Sequence, residues 1–467
     1  MTAKAPTRLP TKTTAQKVGI VVAVIAVLGC LFVQVPGLDA SGTRMLGIFV
    51  AAIALWVTEA IPLAATGVGI ILFQVLFISA DALLAVPDDA ATSASYFASL
   101  ANPVIILFMG GFMIADGAAK YGLDKNLAAV LMKPFQKSAR QSMFGLMLIT
   151  ALLSQFMSNT ATTATMFAVV IPILAAIDQP RMRTGFALCI PVAANLGGVG
   201  TPVSTPPNAI AVGMLAQNGT RITFLEWMLM ALPFIVIMLG LAWLMLVVMF
   251  VPKGMPLKLD LKSDFQRTPA AVTFYVLAGA TILLWMTEPF HGLPAAVVGF
   301  FAVVGMLTTG VMTGEDIKKL SWPVLWLVAG GISLGTGVRD TELDQWMLGG
   351  INWGAMSTVV FLLVLCLVAV VMGTFISNSA TANLIIPLVL GPSIAVAIDD
   401  VTLAVIAALA CSLGFALPIS TPPNAIAYAT GHIPQKSLIT VGATLGIVGA
   451  LVLALVLPPL WSLMGLA

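Results

Sequence analysis

Short polar phrases occur twice in this otherwise apolar chain. Ser158-Asn159-Thr160 is followed by Ser204-Thr205-Pro206-Pro207-Asn208, and Ser377-Asn378-Ser379 by Ser420-Thr421-Pro422-Pro423-Asn424. The copies are 219 residues apart at the first element and 216 at the second. Hydroxyls and amides at a helix break add donors and acceptors to backbone groups that the break leaves unpaired. Ser158 and Ser377 are placed to cap the helices that follow them. A helix N-terminus carries partial positive charge and binds anions, while carbonyl and side-chain oxygens suit a hard monovalent cation. One such structure can hold an anion and a cation side by side. In hydrocarbon these groups are costly unless they line a site, and a duplicated polar break points to a transporter's binding site.

The prolines carry the same message. Pro206 and Pro207 remove two backbone donors and predict a helix break near 204–206, which Asn195-Leu196-Gly197-Gly198-Val199-Gly200-Thr201-Pro202 loosens further. This glycine cluster is not a nucleotide loop, because no strand precedes it and no Lys follows.

The elements that position these residues must be membrane helices. Hydrophobic residues make up 60% of the chain and charged residues 9%, against about 25% charge in soluble domains. Eleven spans are predicted: 18–36, 45–62, 63–79, 100–118, 184–216, 224–251, 269–288, 293–312, 322–338, 401–430 and 437–465. The spans 184–216 and 401–430 contain the proline breaks. Two further stretches, 142–177 and 356–396, hold the Ser-Asn phrases in their middles. The arms of the first are short for a bilayer that takes about 20 residues to cross, so both stretches read as re-entrant hairpins. A cleaved signal peptide is the rival reading of the N-terminus, but the apolar run 18–35 is long and many spans follow it, which favours a retained helix.

Charge tests the topology. With the N-terminus in the cytoplasm, eighteen of the 21 lysines and arginines fall inside, and only Arg44, Arg221 and Arg339 fall outside. A hairpin that crossed the membrane would flip every later loop and erase this bias. The chain is therefore expected in an inner membrane, with its C-terminus extracytoplasmic.

Other landmarks are duplicated in the same order. Trp56-Val57-Thr58-Glu59 recurs as Trp285-Met286-Thr287-Glu288, and Pro103-Val104 leading to Gly110-Gly111 recurs as Pro323-Val324 leading to Gly330-Gly331. Four collinear pairs indicate internal duplication. The domain organisation is then 1–44 for the N-terminus and first span, 45–251 for one repeat, 252–268 for a charged linker, and 269–467 for the second repeat. Five spans per repeat is odd, so the repeats are expected to be inverted, an arrangement that permits alternating access around a midplane site.

The remaining polar residues read more plainly. Glu59 and Glu288 lie near span ends and suit interfacial roles, and Asp116 is read as a local pair with Lys120. His291 and His432 fall in loops. The four cysteines (Cys30, Cys189, Cys366, Cys411) have no paired spacing and read as small core residues. An enzyme would need a nucleophile–base or metal set, and none is visible. A channel would need a continuous polar pore, whereas these polar residues cluster at two tips and two breaks.

The paired Ser-Asn tips and paired Thr-Pro-Pro-Asn breaks resemble the divalent anion/sodium symporter (DASS) family over nearly the whole chain. The resemblance implies an all-α polytopic elevator-type transporter, a homodimer with a scaffold and a transport domain in each protomer. It implies small divalent anions as substrates, C4-dicarboxylates such as succinate, malate and fumarate first among them, with sodium as the coupling ion, two or more per cycle. Sodium-independent dicarboxylate exchange and sulfate transport are the alternatives. Carried over by motif, the substrate would touch Ser158, Asn159, Thr160, Thr205, Ser377, Asn378, Ser379, Thr421 and Pro422. One sodium would use Ser154, Ser158, Asn159 and the carbonyl of Ser204, and another would use Ser377, Asn378 and the carbonyl of Ser420. Two positions depart from the pattern. Ser379 stands where the family has Thr, and Gly373 stands where the first repeat has Ser154, with Thr374 beside it as a possible replacement hydroxyl.

Overall fold

The computed structural model describes residues 12–252, 255, 263–349, 356–390 and 398–466. Most of the expected linker, the end of the second hairpin at 391–396, and Lys4, Arg8, Lys253, Lys258 and Lys262 lie outside them. Among the described residues the regular structure is entirely helical.

Helix α1 (Thr14–Phe32) is followed by α2 (Ala40–Thr58), α3 (Leu63–Phe77), the short α4 (Ser93–Phe97), α5 (Pro103–Lys120) and α6 (Leu123–Met132). A helical hairpin comes next, α7 (Ala139–Ser154) and α8 (Asn159–Ala175). The broken pair α9 (Pro180–Gly197) and α10 (Pro206–Gln217) leads to the long α11 (Phe224–Phe250).

The succession then runs again. Helices α12 (Pro269–Met286), α13 (Glu288–His291), α14 (Ala295–Thr308), α15 (Gly314–Lys319), α16 (Trp322–Asp340) and α17 (Leu343–Gly349) precede a second hairpin, α18 (Thr358–Phe375) and α19 (Asn378–Leu390). A second broken pair, α20 (Asp400–Cys411) and α21 (Pro422–Ala429), leads to α22 (Gln435–Leu451), a π turn at Val452–Val456 and α23 (Leu457–Met464).

Seven helical stretches are long and apolar enough to cross a bilayer: Thr14–Phe32, Ala40–Thr58, Ser93–Lys120, Phe224–Phe250, Pro269–Met286, Thr358–Phe375 and Gln435–Met464. The last contains the π turn. With the similarities described below, they make the chain a multi-pass membrane protein. Six of the seven overlap expected spans; the other is the first arm of the second hairpin. At 18 residues that arm is longer than the 16 and 17 residues of α7 and α8.

Matched contacts recur within each half, and matched crossings join the two. The indole of Trp56 donates to the Leu63 carbonyl at 3.2 Å, and that of Trp285 to the Ala295 carbonyl at 2.9 Å. Helix α5 packs on α14 where Gly110 meets the backbone of Gly299, and α16 packs on α3 where Gly330 meets the backbone of Gly67. A Cβ at Gly330 would lie 2.2 Å from the Gly67 Cα, so this crossing needs hydrogen as the side chain. Fully buried Trp56, Trp227, Trp285 and Trp461 and rings such as Phe186, Phe234 and Phe274 fill a largely continuous core.

Two expectations change, and one gains detail. Asp116 is not the partner of Lys120, whose ammonium reaches across to Asp316 on α15 at 2.8 Å and to the Val311 carbonyl at 3.0 Å. The Lys120 hydrogen bond holds the Asp316 carboxyl down to about 2. Glu288, just past the end of α12, is buried within the protein, paired with Arg221 and accepting the Phe224 N–H at 3.1 Å. The first helix break opens at Gly198, upstream of the prolines. Pro206 and Pro207 begin the next helix, where a missing N–H costs nothing.

Candidate functional site

The two hairpin tips and the two helix breaks converge on one cavity of about 520 Å³. Its lining includes Ser158, Asn159 and Thr160, then Thr205, then Ser377, Asn378 and Ser379, and finally Thr421 and Pro422. All nine residues expected to touch an anion therefore face one space. Ser204 and Ser420 line it as well. No charged side chain is among the described residues that line it.

Local capping explains why the chain turns here. The Ser158 hydroxyl accepts from the Ala161 N–H at 3.2 Å and starts α8, and Ser377 does the same for Ala380 at 3.2 Å and starts α19. Thr421 caps α21 through the Asn424 N–H at 3.4 Å, whereas Thr205 precedes α10 without a side-chain cap. Helices α8, α10, α19 and α21 thus all begin at the cavity. Helices α8 and α19 present the N–H groups of Asn159, Thr160, Asn378 and Ser379 with no partner in their own helix, whereas α10 and α21 begin with Pro-Pro and offer only their dipole ends. The four positive dipole ends favour an anion without a cationic side chain.

The breaks are braced from behind. The Asn208 amide donates to the Val199 and Thr201 carbonyls at 3.2 and 2.8 Å, and the Asn424 amide to those of Phe415 and Leu417 at 2.7 and 3.0 Å. Ser204 donates to the carbonyls of Gly198 and Thr201, and Ser420 to that of Thr374 at 2.6 Å.

The oxygens expected around sodium divide unequally. Ser154 is fully buried behind the first tip, with its hydroxyl 2.7 Å from Asn159 Oδ1 and 2.9 Å from the Ala194 carbonyl. Asn159 lies directly against Gly198. At the second tip the Asn378 amide faces the Cys411 and Gly414 carbonyls, donating at 3.0 and 3.1 Å. Gly373 packs against Gly414, where a Cβ would come within 2.3 Å of the Gly373 backbone. Thr374, beside it, donates its hydroxyl to the Val370 carbonyl of its own helix at 2.8 Å.

Sequence reasoning passed over part of the lining. Leu63, Phe108, Phe112, Ser321 and Val324, from α3, α5 and the start of α16, line it too. Asn195 and Ser412 also line the cavity. Phe108 and Phe112 read as ordinary helix residues, and only contacts from distant elements show which face they present. Asn195 stood in a segment read only as loosened helix.

Residues 13–467 match the sodium:sulfate symporter transmembrane region family. The chain is 28% identical over 487 residues to the sodium-dependent dicarboxylate transporter SdcS of Staphylococcus aureus strain MRSA252, covering 95% of this chain and 91% of that protein. It is 29% identical over 458 residues to the SdcS of strain bovine RF122 / ET3-1, covering 88% and 85%. The fold is similar to that of the YdaH transporter of Alcanivorax borkumensis, with a TM-score of 0.59 at 15% identity over 87% of this chain and 99% of that one. It is also similar to MtrF of Neisseria gonorrhoeae, with a TM-score of 0.57 at 13% identity over 96% and 95%.

Proposed function

We propose, for a chain that belongs to the sodium:sulfate symporter family, the divalent anion/sodium symporters its motifs resemble, that it takes up small dicarboxylates coupled to sodium. It is a transporter and not an enzyme. The observation that carries the dicarboxylate-sized anion site is the cavity itself. Four helix N-termini meet there with hydroxyl, amide and proline residues from both halves, and no cationic side chain is among the described residues of its lining. Its volume falls within the roughly 300–1,000 Å³ of small-molecule sites. Sodium as the coupling ion and C4-dicarboxylates as cargo draw support from the SdcS relatives, which are named sodium-dependent dicarboxylate transporters.

In this reading the dicarboxylate lies between the tips, one carboxylate toward Ser158, Asn159, Thr160 and Thr205. The other lies toward Ser377, Asn378, Ser379, Thr421 and Pro422. Sodium sits behind the first tip among Ser154, Ser158, Asn159 and the Ser204 carbonyl, and a second ion would use Ser377, Asn378 and the Ser420 carbonyl.

The halves act as inverted repeats. The reciprocal α5–α14 and α16–α3 crossings support this, because α16 corresponds to α5 and α3 to α14, so that one crossing repeats the other with the halves exchanged. With an inner-membrane location, a cytoplasmic N-terminus and an extracytoplasmic C-terminus, the cavity wall from Leu63, Ser321 and Val324 lies at the cytoplasmic ends of α3 and α16. The structure then faces inward. On the other side, Gln217 donates to Thr336 at 2.8 Å and Arg339 to Asn218, holding α10 against α16. An elevator movement within each protomer of a homodimer would release these bonds and carry both hairpins past α5 and α16.

One observation favours a second reading, sodium-independent dicarboxylate exchange. The second tip lacks the hydroxyl that Ser154 gives the first, and Gly373 and Gly414 close together in its place. Thermal stability of the purified chain, measured with succinate, citrate or sulfate and with sodium or choline, separates these readings because a ligand stabilises the state it binds. Stabilisation by succinate that requires sodium supports symport; equal stabilisation in choline supports exchange; stabilisation by sulfate alone rules out a dicarboxylate site.

A further inference from the structure

The two breaks are built alike, and one side chain makes them differ. Val199, Thr201, Thr205 and Asn208 correspond to Phe415, Leu417, Thr421 and Asn424 at one common offset, and both Asn amides brace equivalent carbonyls. In the first break, Thr205 Oγ1 and Asn208 Oδ1 are buried without a partner among the described residues. In the second, both corresponding oxygens are satisfied by Asn195 of α9, whose amide reaches Thr421 Oγ1 at 3.3 Å and Asn424 Oδ1 at 3.2 Å. At that offset the counterpart of Asn195 is Cys411, which has no amide to offer.

Proton directions follow from these partners. Carbonyls only accept, so the Phe415 and Leu417 carbonyls fix the Asn424 nitrogen toward themselves and its oxygen toward Asn195. That oxygen requires Asn195 to present its NH2 group. Thr421 Oγ1 then accepts from Asn195 and from the Asn424 N–H at 3.4 Å. A hydroxyl has two acceptor positions and one proton. With both acceptor positions used, and with Thr421 lining the cavity, its proton is left to donate into that space.

We infer that Asn195 is a positioning residue that commits the Thr421 hydroxyl to donate to the anion. The second break thereby becomes a fixed donor wall, while Thr205 in the first keeps both roles open. The inference rests on the anion site proposed above and deepens it. It joins the halves directly, since a residue of one repeat sets the hydroxyl of the other.

A double-mutant cycle on the full chain tests this, with succinate and sulfate as probes at saturating sodium. Asn195→Ala is expected to weaken binding of whichever anion the wild type takes by about tenfold, one oriented hydrogen bond to a charged group. In a Thr421→Val background the same change is expected to have no further effect, and the sodium half-saturation is expected to stay put in both. A purely structural amide would lower thermal stability and act additively with Thr421→Val, which overturns the assignment. If the Ala variant does not fold, Asn195→Leu, of similar shape without the donor, takes its place in the cycle. If neither anion binds the wild type, the proposed function falls and this role falls with it; if the wild type binds and the cycle is additive, only the role of Asn195 falls.

Discussion

Ser154→Ala separates a cation ligand from a structural hydroxyl. Ser154 is fully buried, with its Oγ 2.7 Å from Asn159 Oδ1 and 2.9 Å from the Ala194 carbonyl. The Ala194 carbonyl also accepts the Gly198 N–H at 2.9 Å, so it stays paired in the variant. Asn159 Oδ1 is the atom that loses a donor. Leaving a buried acceptor short of its partner costs about 1–2 kcal/mol, a loss expected in thermal stability without sodium. Removing one oxygen from a sodium shell carries a similar free energy, and about 1.4 kcal/mol is tenfold in affinity. The sodium half-saturation of succinate uptake is therefore expected to rise about tenfold. The apparent KM for succinate at saturating sodium stays within about twofold. The assay is radiolabelled succinate uptake into proteoliposomes over a sodium series. A variant that loses stability but keeps the wild-type sodium half-saturation would refute the reasoning and leave Ser154 as a brace for Asn159.

Other expectations follow from the same geometry. Asn159→Ala and Asn378→Ala are each expected to abolish uptake while the purified protein keeps its elution profile; normal transport in either one removes it from the site. Gly414→Ala would put a Cβ 2.3 Å from the Gly373 backbone, which cannot swing aside. It is expected to lose on the order of 3 kcal/mol or more of stability, whereas Gly373→Ala, with its tightest contact at 2.9 Å to the Asn378 side chain, loses about 1–3 kcal/mol; equal melting temperatures would contradict this. For the Lys120–Asp316 pair, the folded carboxyl is held down to about 2, so its stabilisation is present at neutral pH and lost as pH falls from about 4 toward 2. Lys120→Met is expected to cost only about 0.5–1 kcal/mol at pH 7, because Lys120 is 37% exposed, and the difference narrows in acid melts.

The site was legible in the sequence because its residue types are expensive where they stand. Ser158, Asn159, Ser377 and Asn378 interrupt apolar runs, and that cost pointed to a shared cavity before any coordinates did. Helical class followed from composition, and the duplicated Trp and Gly landmarks mark contacts that the fold uses in matched fashion. Partners chosen by tertiary geometry were not legible. Lys120 has Asp116 one turn away, yet it reaches Asp316, nearly two hundred residues distant. Prolines signal a break, but Pro206 is as well suited to the first position of a helix, so the start of the break at Gly198 depended on packing against Asn159. Space is likewise invisible in a one-letter code. The sequence suggests adding a hydroxyl at Gly373, yet a Cβ there would already stand 2.9 Å from the Asn378 side chain and 3.0 Å from the Cys411 carbonyl.

Sodium-coupled dicarboxylate uptake is the central claim, and proteoliposomes test it most directly. Purified chain is reconstituted in vesicles free of internal dicarboxylate, and succinate accumulation is followed with sodium or with choline outside. The account predicts accumulation driven by an inward sodium gradient and collapsed by a sodium ionophore. Equal uptake in choline, or no succinate uptake under either condition, would contradict it.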